Sequence, residues 1–174
     1  FSAKTTLALA QTLYERHKAL TYPRTDSRYL PEDYIGTVRQ TMSVLAQGDS
    51  AAVGGLSRHA ATVVKNDWVK PNRRIFDNKK VSDHFAIIPT LQVPRDLSEA
   101  EGKLYDLVVK RFLAVFFPSA EFRVTTRMTQ VQGHRFKTEG KVLVKPGWLA
   151  VYGKEAQGED ANLVPVADGE TVRT

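Results

Sequence analysis

No cysteine occurs in the 174 residues, which excludes a disulfide framework and any thiolate metal site. No apolar run approaches the roughly 18 residues of a membrane span, and no leader of charged then apolar residues opens the chain. Both absences fit a soluble, cytoplasmic protein. Acidic residues are the minority charge: 19 Asp and Glu stand against 25 Lys and Arg, giving a net charge of +6 and a pI near 9.6. That balance favours a polyanionic partner without naming one. An initiator methionine is missing as well. Phe1 runs directly into a helical pattern, so the chain reads as a piece of something longer.

What is present suffices for a core, since 42% of the residues are hydrophobic. Apolar residues at three- and four-residue spacing predict helices over 2–19, 31–46, 57–65 and 98–117. Ser2 and Ser98 stand where N-caps belong, with Glu99 and Glu101 in the positive first turn of the last helix. Leu104, Leu107, Val108, Arg111, Phe112, Val115 and Phe116 lie on or beside its buried stripe, and Pro118 stops it. Pro31 suits a first helical position, and Gln47–Ser50 ends the helix it opens.

From Glu121 the period changes to two. Phe122–Met128, Arg135–Thr138 and Lys141–Val144 read as strands with Gly133 and Gly140 as turn points, followed by short strands at Leu149–Tyr152, Leu163–Val166 and Thr171-Val172. Residues 153–162 read as a polar loop. The expected class is α+β, a mainly helical domain over 1–120 followed by a β-rich part over 121–174. There is no internal repeat.

One stretch organises the chain: Thr21-Tyr22-Pro23-Arg24-Thr25-Asp26-Ser27-Arg28-Tyr29-Leu30. Proline pushes Tyr22 towards extended geometry, where residues i and i+2 share a face roughly 6–7 Å apart. A phosphate fits that gap. Tyr22 is then a candidate nucleophile and Arg24 a candidate clamp, its planar fork matching phosphate oxygens as lysine would not. On these residues alone, a half-buried packing tyrosine remains an open alternative. Asp26 either orients Arg24 or caps the next turn. His17 is a proton-transfer group for Tyr22 or a helix-face residue. Between 65 and 80, Lys65, Lys70, Arg73, Arg74, Lys79 and Lys80 interleave with Trp68 and Phe76, the pattern of a single-strand groove or of a solvated basic loop.

The ten-residue stretch resembles the active-site segment of type IA DNA topoisomerases, and the proline after the tyrosine resembles the bacterial topoisomerase III branch. A second segment, Asp83-His84-Phe85-Ala86-Ile87-Ile88-Pro89-Thr90, resembles the His-x-Ala-Ile-x-Pro motif found downstream in that family. The resemblance implies that Tyr22 forms a 5′-phosphotyrosine with single-stranded DNA while Arg24 steadies the phosphorus. It implies DNA contacts from His84, Thr21, Asp26 and Arg28. Further implications are strand passage that relaxes or decatenates DNA without ATP, a hinge built from the β-rich part, and a cytoplasmic, nucleoid-associated location. The family's Mg²⁺ is held by an acidic Asp-x-Asp domain, and this chain has no Asp-x-Asp. Metal and gate domains are therefore expected elsewhere in a longer chain, leaving this piece inactive alone, with no metal site of its own.

Rival tyrosine chemistries lack their partners. None of His17, His59, His84 and His134 has arginine three positions on, as tyrosine recombinases do, and no His-hydrophobic-His element of rolling-circle nickases occurs. Thr21 stands where type II topoisomerases place arginine. The alternative of a different class is a non-catalytic binder of single-stranded nucleic acid with Tyr22 stacked on a base.

Overall fold

The computed structural model describes residues 1–48, 52–153 and 163–171. It is α+β, with four helices, α1 (Ala3–Glu15), α2 (Ile35–Gln47), α3 (Ser57–Lys65) and α4 (Glu99–Ala114), then two strands, β1 (Glu121–Val131) and β2 (His134–Lys145). The chain divides into two compact units, Phe1–Phe117 and Pro118–Thr174. Among the described residues no helix is long and apolar enough to cross a membrane.

The first unit is helical because its apolar residues recur at helical spacing and its caps are in place. Ser2 accepts from the Thr5 amide at the start of α1. Ser98 and Glu101 form a reciprocal capping box at the start of α4, where the Ser98 amide donates to Glu101 Oε2 at 2.8 Å and the Glu101 amide to Ser98 Oγ at 3.3 Å. α1 packs on α4 and α2 on α3, around a core that includes Leu13, Val38, Met42, Leu45, Val63, Tyr105 and Val109, all fully buried. The face α4 buries runs through Glu101, Tyr105, Val109, Phe112 and Leu113. Leu107, expected on or beside that stripe, is instead 62% exposed, because two residues beyond Tyr105 is about 200° around the helix. The last helix also ends at Ala114, short of Pro118. In place of one helix over 31–46, a 3₁₀ turn at Glu32–Tyr34 precedes α2.

In the second unit β1 and β2 form an antiparallel hairpin, with Val131 opposite His134. Its two-residue turn, Gln132-Gly133, has φ of 48° and 84°, the pair of positive values that matches the strands' twist. Gly140, expected as a turn point, lies inside β2 opposite Thr125, so 134–145 is one strand and not two. Leu149–Tyr152, expected as a strand, instead holds the end of a 3₁₀ turn over Gly147–Val151, with Tyr152 as its C-cap. Gly147 permits that turn, because its φ is +49° and a Cβ there would lie 2.5 Å from the backbone of Pro118 and Ser119. Leu163–Val166 forms no strand. The readings for Asp49, Ser50, residues 154–162 and Val172 lie outside the described residues.

Candidate active site

The site is built where α1 stops. The Ala19 amide reaches back six residues to the Leu13 carbonyl at 2.8 Å, and Lys18 takes a left-handed φ of 54°, which turns the chain out of the helical path. The helix is therefore over at Glu15, earlier than the expected 19, and the chain enters an extended run. Here Leu20 bridges Pro89 and Leu30 bridges Phe76.

Residues 18–30 are laced to 84–90 by hydrogen bonds no local pattern announces. The Thr21 amide donates to the Ile88 carbonyl at 3.0 Å. The Thr21 hydroxyl accepts from the Ile88 amide and donates to the Ala86 carbonyl, each at 2.9 Å. Thr25 Oγ1 donates to the His84 carbonyl at 3.0 Å, and the Ala86 amide to the Tyr29 carbonyl at 2.9 Å. Above them, Thr90 Oγ1 donates to the Lys18 carbonyl at 2.6 Å. The two bonds of the Thr21 hydroxyl are partly buried, where an unpaired group would be costly, and those from Thr25 and Thr90 are exposed.

The lacing sets Tyr22 against His84, ring centroids 4.3 Å apart. On another side Tyr14 meets Tyr22 edge-on at 5.4 Å. Tyr22 is half-buried and lines a cavity of about 330 Å³ with Tyr14, Lys18, Thr21, His84 and Thr90. Phe85 borders the same cavity and packs on Tyr34 at 4.8 Å. Arg24 is exposed, and among the described residues its guanidinium has no hydrogen-bond or ion-pair partner. An aromatic hydroxyl at a cavity wall, an imidazole against its ring and a free guanidinium two residues on suit the capture of a phosphodiester.

The family model described as DNA topoisomerase matches residues 1–174. The chain belongs to the DNA topoisomerase family. It is 43% identical over 162 residues to DNA topoisomerase 3 of Bacillus cereus, covering 92% of this chain and 21% of that protein. With DNA topoisomerase 3 of Bacillus subtilis (strain 168) it shares 37% identity over 180 residues, 99% of this chain and 24% of the relative. The chain thus spans less than a quarter of the length of these relatives. In fold it is similar to full-length topoisomerase I from Thermotoga maritima, with a TM-score of 0.61 at 22% identity, covering 98% of this chain and 26% of that one.

The remaining expected site residues of this topoisomerase chain fall in several places. Asp26 accepts from Ser82 Oγ at 3.2 Å. Arg28 does not line the tyrosine's cavity; it borders a second one of about 640 Å³, together with Asp26, Arg74 and Arg111. Thr21 is in place, but its hydroxyl is engaged within the protein. His17 turns to α4, where its Nε2 is buried 3.4 Å from Glu101 Oε1 without hydrogen-bond alignment. In the basic stretch, Phe76 is buried against Phe116 and Trp68 packs on Phe117, so Phe76 is a core residue unavailable to a base. Lys18 and Tyr14 are the additions. Tyr14 sits in the last turn of α1 and Lys18 just past its end, and the early stop of the helix lets the chain bring Tyr22 back against Tyr14.

Proposed function

We propose that this chain is the nucleophile-bearing part of a type IA topoisomerase that cuts and rejoins single-stranded DNA. The Tyr22 oxygen attacks phosphorus, the phenol gives up its proton, and the bond from phosphorus to the 3′ oxygen breaks. The products are a 5′-phosphotyrosine and a free 3′ hydroxyl, which takes a proton. Because the ester keeps the energy of the broken linkage, the 3′ hydroxyl reverses the step once a strand has passed. Arg24 favours the phenolate and the charge that builds on the phosphoryl oxygens, but it is always protonated and is no base. His84 holds the phosphate beside the tyrosine.

The observation that carries this reading is the placement of Tyr22 against His84 at the wall of a cavity, with both motif segments hydrogen-bonded into one frame. It is the arrangement expected if the two motifs act together. A base-stacking binder needs the tyrosine ring free, and here Tyr14 and His84 already occupy two sides of it.

The Mg²⁺ implied by the resemblance is assigned to acidic residues beyond this chain. Among the described residues no three His, Asp or Glu side chains come together, and Asp26 is already bonded to Ser82. Every step above accordingly runs through Tyr22, Arg24 and His84. Relaxation or decatenation, and a cytoplasmic, nucleoid-associated location, belong to the same proposal. So does inactivity of this piece alone.

The test is Tyr22→Phe in the full-length protein that contains this chain, read as covalent adduct on a labelled single-stranded oligonucleotide with Mg²⁺. Loss of the adduct is expected; an adduct at wild-type level would leave the stacking alternative standing. This chain by itself should form none.

A further inference from the structure

Lys18 lies just beyond the end of α1, two residues past the C-cap Arg16. Its φ of 54° lies in the left-handed region, which a side chain with a Cβ enters at a cost and glycine enters freely. The closing bond from Ala19 to Leu13 and the bond from Thr90 to the Lys18 carbonyl hold the backbone there, and neither uses the lysine side chain. That side chain is exposed and lines the Tyr22 cavity. Its ammonium lies 5.8 Å from the centre of the Tyr14 ring, whose edge or face meets Tyr22 in turn. Among the described residues no carboxylate pairs with it. Residues in disfavoured backbone regions persist where the surroundings over-determine them, often at functional sites.

We propose that Lys18 is a phosphate-binding residue of the Tyr22 cavity, a cation held beside the nucleophile at the expense of an unstrained helix end. The proposal rests on the reading of Tyr22 as nucleophile and adds to it a contact to the phosphodiester from the end of α1. Nucleic-acid phosphate is the ligand these features favour: the cation has no carboxylate partner among the described residues, the cavity wall is aromatic, and the chain carries excess positive charge.

The experiment uses the full-length protein carrying Tyr22→Phe, so that binding of an oligothymidylate is read without chemistry, together with Lys18→Gly, Lys18→Gln and Lys18→Arg. Lys18→Gly removes charge and strain, and Lys18→Gln removes charge alone. Both should weaken binding and lower the slope of log affinity against log salt by about 0.7, the share of one phosphate on a single strand. Lys18→Arg should restore both. The melting temperature separates this from a structural role: Lys18→Gly should hold or raise it, since glycine relieves the left-handed backbone. Unchanged affinity and salt slope in Lys18→Gly and Lys18→Gln would overturn the proposal, and so would a lower melting temperature for Lys18→Gly. If those variants bind normally while Tyr22→Phe abolishes the adduct, Lys18 fails and the tyrosine reading stands. Failure of the Tyr22→Phe protein to bind oligothymidylate at low salt would sink both.

Discussion

Thr21 and Ile88 hold each other twice. The Thr21 amide donates to the Ile88 carbonyl at 3.0 Å, and the Ile88 amide donates to the Thr21 hydroxyl at 2.9 Å. The same hydroxyl donates to Ala86, so one oxygen joins the residue before Tyr22 to both ends of an Ala-Ile-Ile run. Thr21 thereby ties the backbone that enters Tyr22 to residues 86–88.

Thr21→Val keeps the shape and removes that oxygen, leaving the Ile88 amide without its acceptor. Stability should fall by about 1–3 kcal/mol, the cost of an unsatisfied partly buried group, in denaturant unfolding of the first unit. Adduct formation in the full-length protein should fall further than stability alone predicts, because His84 and Tyr22 lose their common frame.

Arg24→Lys should not restore what Arg24→Ala loses. A guanidinium that contacts two phosphoryl oxygens at once cannot be replaced by a point charge, and removing one transition-state donor costs roughly 10²–10³ in rate. Single-turnover cleavage by the full-length variants is the measurement, and equal rates for Arg24→Lys and wild type would refute the clamp.

Acid should loosen the α1–α4 pair through Glu101. Hydrogen bonds from the Ser98 hydroxyl and amide, with His17 beside the carboxylate as a smaller contribution, hold its carboxyl below the ordinary 4.5 against the opposing effect of burial. A carboxyl depressed in the folded state stabilises fully above its unfolded value, and that stability is lost as pH falls through the folded value. Melting temperatures of wild type and Glu101→Gln, taken from neutral pH downwards, should therefore differ at neutrality and converge below the ordinary glutamate range. Ser98→Ala should cost about 1 kcal/mol at neutral pH, as a lost N-cap does.

Tyr105→Phe should be neutral or stabilising. Its hydroxyl is fully buried with no hydrogen-bond partner among the described residues, and burial pushes the phenol's pKa up. Deleting an unsatisfied buried hydroxyl while keeping the ring removes a desolvation penalty of about 1–3 kcal/mol. A lower melting temperature would show that the hydroxyl is satisfied by bound water.

Much of this was legible in the sequence because it is written locally. The spacing over 57–65 specifies α3, Ser98 with Glu101 announces the start of α4, and the two motifs mark the two segments that the structure hydrogen-bonds together. What was not legible depends on distant partners or on one backbone angle. Periodicity carries α1 on to residue 19, but closure at Lys18 ends it sooner. Glycine 140 looks like punctuation, yet the register with Thr125 runs straight through it. Gly147 looks like a turn before a strand, yet the backbone of Pro118 and Ser119 behind it fixes a 3₁₀ turn. Arg28 shares the tyrosine's motif but borders a different cavity, because its place is set by where residues 74 and 111 fall.

The cross-links from Thr21, Thr25 and Thr90 also bear on what travels with a captured DNA end. On the proposed reading, a severed strand esterified to Tyr22 rides on the same plank as His84 and Lys18, whichever way the remainder of the enzyme swings. Resealing then requires only the opposite strand end to come home, since its receiving half never came apart.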